Sequence, residues 1–239
     1  MHIKKIILLF ISIFIGLNCY AVSEVEMETK EKVILIHGFA RNNMSMWKLA
    51  SSIEKAGYEV ERVGYKSLRK NIDEIKKIVF KQFDKNIDSK YEKVHFVGHS
   101  LGGLLIRSYL GNHNVKNLGN VVLIGSPSHG TEAVDYYKDK KWFKLTGPIA
   151  VELGTNGSKF LESLTQPYYN LGVIAGNKEI KLFEHVLKGQ DDGLVRVEST
   201  KIKGMSDFII IKANHAGMRF NKNVAHQTIS FLKNGKFKK

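Results

Sequence analysis

An α/β fold built on a mostly parallel central sheet, with helices on both faces, is predicted by three observations. Short continuous apolar runs alternate along the chain with segments of helical periodicity, as βαβ units require. With 239 residues and 43% hydrophobic content, the chain is long enough to bury one substantial core of that kind. One junction, Gly98-His99-Ser100-Leu101-Gly102, joins an apolar strand directly to a helix and places a glycine two residues to each side of a serine.

The chain opens on Lys4 and Lys5, an apolar stretch from Ile6 to Leu17, and Asn18-Cys19-Tyr20-Ala21. A basic start, a short apolar core and small residues three and one before a cut after Ala21 read as a secretory signal peptide over 1–21. The apolar run is short for spanning about 30 Å of hydrocarbon, so an uncleaved membrane anchor is the second reading and a lipidated Cys19 a third. The expectation is an exported protein, periplasmic or extracellular. Cutting after Ala21 removes Cys19, the single cysteine, so stability has to come from the core and not from disulfides.

Residues 22–239 are expected to form a single domain. Val33-Ile34-Leu35-Ile36 suits a strand covered on both faces, and it ends in His37-Gly38-Phe39. A helix from Met44 to Ala56 follows, stopped by Gly57, then an alternating outer strand from Tyr58 to Val63. Asn71 with Glu74 three positions on marks a capped helix start, and Ile72, Ile75, Val79 and Phe83 make one buried stripe. Val94 to Val97 is the strand entering the serine junction, and Leu101 to Leu110 continues as helix. Further strands are read at Val121–Ile124, Leu171–Ala175 and Phe208–Ile211, and a last helix at Asn223–Leu232. The interval from Thr131 to Pro167 is longer than an ordinary connection and rich in apolar residues, which makes it an insertion placed where a lid or cap would sit.

The formal charge is +14, and losing Lys4 and Lys5 leaves +12. The lysines are scattered and no nucleic-acid motif accompanies them, so a solvated basic surface is favoured and nucleic acid is not expected as a partner. Peripheral contact with anionic membrane lipid stays open, and nothing in the sequence fixes an oligomeric state.

Chemistry concentrates around the junction. Lifting a serine hydroxyl clear of a sheet forces unfavourable φ/ψ at the serine, and flanking glycines remove the side chains that would collide there. Ser100 is therefore read as a nucleophile. A serine hydroxyl needs a base and a group to orient that base. His215 lies just past the last strand, and Asp191-Asp192-Gly193 precedes it; either aspartate is a candidate acid, Asp191 being otherwise a turn-forming residue. His95, His99, His113, His129, His185 and His226 are read as structural or solvated. Backbone N–H groups of Leu101 and Phe39 are the expected oxyanion donors.

In this order the motifs resemble the small secreted bacterial lipase/esterase branch of the α/β-hydrolase superfamily. The resemblance runs from Val33 to about Phe237. It is carried by His37-Gly38-Phe39-Ala40-Arg41, Gly98-His99-Ser100-Leu101-Gly102-Gly103, Gly125-Ser126-Pro127-Ser128-His129-Gly130-Thr131, Asp192-Gly193-Leu194-Val195 and His215. It implies an α/β-hydrolase fold and hydrolysis of small-molecule or lipid esters by Ser100, His215 and the favoured acid Asp192 through an acyl-serine; no cofactor or metal is expected, and the calcium site of some relatives is left open. Acyl transfer or thioester cleavage on the same three residues is the alternative. A non-catalytic basic surface-binding protein is the reading from another class.

Overall fold

The computed structural model describes residues 30–180 and 184–239; the signal-peptide reading of 1–21, with Cys19, lies outside the described residues. The first apolar run becomes strand β1 (Lys32–Ile36), buried throughout. The helix expected next begins as a 3₁₀ turn at Asn43–Met46, because the Asn42 side chain caps Ser45 N–H, and only then becomes α1 (Trp47–Glu54). Gly57, at φ 98°, turns the chain into β2 (Glu59–Val63). Helix α2 (Ile72–Asn86) carries the capping box of Asn71 and Glu74 in full. β3 (Val94–His99) runs into α3 (Leu101–Leu110) through Ser100 alone.

β4 (Leu118–Ile124) starts three residues before the apolar run that announces it. There Gly119 and Asn120 break the hydrophobic run after Leu118, but Asn120 N–H donates to the His95 ring and its amide donates to the Phe231 and Leu232 carbonyls near the end of the C-terminal helix. The long interval that follows holds four short helices: α4 (Glu132–Tyr137), α5 (Lys141–Lys144), α6 (Pro148–Val151) and α7 (Lys159–Glu162). Then come β5 (Leu171–Gly176), α8 (Val197–Thr200), β6 (Asp207–Ile211) and α9 (Lys222–Asn234). The sequence reading did not anticipate α8, which is a single turn.

Among the described residues the strands form one six-stranded, wholly parallel sheet in the order β2-β1-β3-β4-β5-β6. Alternation along each strand sorts the core into two layers. Ile34, Ile36, Phe96, Val121 and Leu123 face α2 and α3, while Val33, Leu35, Val97, Val122 and Ile124 face α1 and α9. Both faces of the inner strands are covered, which explains why β1, β5 and the second half of β4 read as continuous apolar runs.

The order places the functional edge. From β1 the chain goes out to β2, then returns to β3 on the other side of β1. That reversal opens a crevice beyond the carboxyl ends of β1 and β3, where open parallel sheets bind their ligands. The two strands pair with Ile36 opposite Gly98. The segments that follow them, His37–Phe39 and Ser100, are therefore delivered side by side.

Candidate active site

Ser100 adopts φ 55° and ψ −126°, left-handed backbone that a side chain rarely tolerates. Strain of this kind costs about 1–3 kcal/mol and persists where surrounding structure enforces it. Here close packing enforces it. A Cβ on Gly98 would lie 2.6 Å from the Gly103 backbone, and one on Gly102 would lie 2.6 Å from the His37 carbonyl oxygen. The first residue of α3 leaves its N–H without an intrahelical partner, so Leu101 N–H is available at the turn.

The loop after β1 passes directly over the serine: a Cβ on Gly38 would stand 2.8 Å from Ser100 Cβ. Its course is fixed from several sides. The buried His37 ring bonds the Gly38 carbonyl through Nδ1 at 2.8 Å, accepts Tyr65 N–H through Nε2 at 3.3 Å, and stacks on the Tyr65 ring. The Tyr65 hydroxyl donates to the His37 carbonyl at 2.9 Å. Burial holds the His37 imidazole below its ordinary pKa, so the neutral ring is the one that makes these bonds. Ala40, at φ 52°, donates its N–H to Ser67 Oγ at 2.8 Å and turns the chain away after Phe39.

His215 bridges the remaining parts. Its Nε2 lies 3.0 Å from Ser100 Oγ, and its Nδ1 lies 2.7 Å from Asp192 Oδ2. Asp192 is wholly buried, and its other oxygen accepts N–H bonds from Leu194 at 3.0 Å and Val195 at 2.8 Å. The His215 N–H donates to the Asp192 carbonyl at 2.7 Å, so the two loops are tied at backbone as well as side chain. Asp191 faces the other way and closes its own turn on Gly193 N–H at 2.6 Å. The structure thus brings Ser100, His215 and Asp192 together, with Phe39 and Leu101 beside them, and leaves Asp191 aside.

Two parts of this arrangement were not legible beforehand. His99, read as structural or solvated, is buried beneath His215: its Nε2 lies 2.9 Å from the His215 carbonyl and the rings are 4.8 Å apart. Burial, reinforced by the charges of His215, Arg219 and Arg41, pushes its pKa well below the ordinary histidine value. The second is Tyr65, which lies in an unremarkable loop and has no motif to betray it. The other histidines stay out of the site. His95 is packed between Glu31 and Asn120, His113 stacks on Tyr109, and His129 bonds the Lys201 carbonyl.

A cavity of about 260 Å³ opens over Ser100 and His215. One wall is Phe39, Leu194 and Val195; the other is Thr131, Val134, Phe143, Ala150 and Leu153, all from the insertion. The insertion is fastened to the acid turn, with Thr131 Oγ1 donating to the Leu194 carbonyl and Arg196 paired with Glu132, each at 2.5 Å. Among the described residues no group of metal-binding side chains is assembled.

The family model for palmitoyl protein thioesterase matches residues 32–171. The chain belongs to the palmitoyl protein thioesterase family. The match takes in β1, the His37–Phe39 loop, the Ser100 turn and the insertion, and ends before Asp192 and His215. Comparison with curated protein sequences gives no match. Solved structures share the fold of this thioesterase-family chain. A Bacillus licheniformis lipase in mature form is 17% identical, with 85% of this chain and 90% of that one covered at a TM-score of 0.69. The lin2722 product of Listeria innocua is 20% identical, over 88% and 96% of the two chains, at 0.60. A Staphylococcus hyicus lipase is 14% identical, over 83% and 91%, at 0.57. The fold is the α/β-hydrolase fold shared by these structures, and the family is one of hydrolases.

Proposed function

We propose that this protein hydrolyses carboxylic esters of small or medium acyl groups through an acyl-enzyme on Ser100. The observation that carries the reading is the unbroken line of contacts from Ser100 Oγ through His215 to buried Asp192, at 3.0 and 2.7 Å, opening onto an apolar cavity. With the Nδ1 proton held by Asp192, Nε2 is free to accept the serine proton as Oγ attacks the acyl carbon. Leu101 and Phe39 N–H groups receive the carbonyl oxygen as it becomes an oxyanion. Collapse breaks the bond to the leaving group, which takes the proton back from Nε2. Water, deprotonated by the same nitrogen, then releases the acid and restores the serine.

The cavity volume, a little under the ~300–1,000 Å³ of pockets for drug-sized ligands, favours a modest acyl chain. The family's name speaks for a thioester as a second substrate type. Chemistry at the acyl carbon is the same, and only the leaving atom changes from oxygen to sulfur.

The test is turnover of p-nitrophenyl butanoate and of a matched butanoyl thioester by wild type and Ser100→Ala, together with labelling by a fluorophosphonate. Ser100→Ala is expected to lose hydrolysis and labelling together. Undiminished turnover by that variant would refute the reading.

A further inference from the structure

We propose that the mouth of the cavity selects substrates whose leaving group carries a phosphate, received by Arg41 and Arg219. This rests on the ester-hydrolase reading above and names its substrate class.

Both arginines line the cavity, and each follows a functional loop. Arg41 comes two residues after Phe39 and is exposed. Arg219 lies four residues after His215, in the 3₁₀ turn Gly217–Phe220, and is buried to 7% exposure. Its Nε donates to the Ala216 carbonyl and its Nη1 to the Ser45 carbonyl, both at 3.2 Å, so the fork is held in place by neutral acceptors. Among the described residues the arginine ion pair is that of Arg196 with Glu132; neither Arg41 nor Arg219 has a carboxylate partner. Burial and the nearby charge of Arg41 both act against the charged form of Arg219.

A desolvated cation without a counter-ion is costly, and a second cation beside it raises the cost. An anion arriving with the substrate offsets both penalties at once. Its place follows from the chemistry: His215 Nε2 returns its proton to the leaving group, so that group lies on the His215 side, where Arg219 is anchored. The apolar wall of the insertion is left for the acyl chain. With two guanidinium groups lining the same cavity, the several exposed oxygens of a phosphate offer more acceptors than the two of a carboxylate.

The experiment compares kcat/KM within two matched pairs. One is octanoylglycerol against octanoylglycerol phosphate, and the other is the octanoyl thioester of N-acetylcysteamine against that of coenzyme A. The expected result is a preference of about tenfold or more for the phosphate-bearing member, the size of a charge-assisted hydrogen bond. It should reside in KM and shrink as NaCl rises from about 0.05 to 0.5 M. The pair showing the larger preference identifies whether the phosphate belongs to a lipid or to a soluble carrier. The ratio should collapse in Arg41→Gln and largely return in Arg41→Lys, which a merely structural arginine would not produce. Octyl phosphate should compete with the neutral ester, with a higher inhibition constant in Arg41→Gln. Equal kcat/KM within both pairs, with the neutral members still turned over, overturns the proposal and leaves the hydrolase reading standing. A preference that survives in Arg41→Gln overturns the assignment to this arginine. Failure to cleave any ester, with Ser100 unlabelled by fluorophosphonate, overturns the hydrolase reading and this one with it.

Discussion

Replacing Asp192 by asparagine tests the relay at its least accessible point. The side chain is fully buried between two demands: Oδ1 accepts two backbone N–H groups, at 3.0 and 2.8 Å, and Oδ2 faces His215 Nδ1 at 2.7 Å. An amide has one oxygen, and the two backbone donors claim it. The NH₂ group then points at Nδ1 and forces that nitrogen to be the acceptor. The ring proton moves to Nε2, which now donates toward Ser100 and has no lone pair for the serine proton. The same carboxylate-to-amide change in the serine-protease relay costs about 10⁴ in kcat, and a loss of about 10³–10⁴ is expected here, or roughly 4–5.5 kcal/mol of barrier. Stopped-flow or steady-state hydrolysis of p-nitrophenyl butanoate measures it, with the fluorophosphonate labelling rate falling in parallel. Asp191→Asn is the control, since an amide oxygen can still accept Gly193 N–H. If Asp192→Asn kept kcat within about tenfold of wild type, a relay of this kind would be refuted.

Ser100→Gly should abolish turnover yet raise stability by about 1 kcal/mol or more, because glycine adopts φ 55° without the strain that serine bears; urea unfolding that shows no gain contradicts the strain. Gly98→Ala puts a methyl group 2.6 Å from the Gly103 backbone and should destabilise by about 1–3 kcal/mol, read as a lower urea midpoint; an unchanged midpoint would show that the join has slack. Acid should weaken the fold through its buried imidazoles. His99 and His37 are held below their ordinary pKa mainly by burial, so below about pH 6.5 the unfolded chain takes up protons that the native state refuses. Stability present above that pH is then lost by up to about 1.4 kcal/mol per pH unit for each ring, and His99→Gln should flatten the slope of urea-derived stability between pH 8 and 5. An identical slope in that variant would remove His99 from the account.

Legibility from the sequence followed how locally each feature is encoded. The inner strands β1, β3, β4 and β5 announce themselves by short apolar runs, broken in β3 only by His95 and in β4 preceded by Gly119-Asn120, and α2 announces itself by its cap and stripe. Ser100 was legible because the strain of the turn dictates its glycine neighbours. Choosing Asp192 over Asp191 relied on the family resemblance, since either acid adjoins the same turn and only the fold decides which one points at His215. The roles of His99, Tyr65 and Arg219 come from contacts across sequence separations of 116, 28 and 174 residues, and no short pattern records such pairings. The start of β4 escaped notice for the opposite reason, being held by side-chain amide bonds at polar positions.

One wall of the cavity comes from a single continuous stretch, whereas Ser100, Asp192 and His215 follow three different strands, β3, β5 and β6. That wall is thereby written in a piece of chain that carries none of Ser100, His215 and Asp192. Exchanging apolar residues of this stretch that line the cavity, such as Val134 or Phe143, would alter which molecules enter without touching Ser100, His215 or Asp192. Keeping Thr131 and Glu132 would preserve the two fastenings to the acid turn.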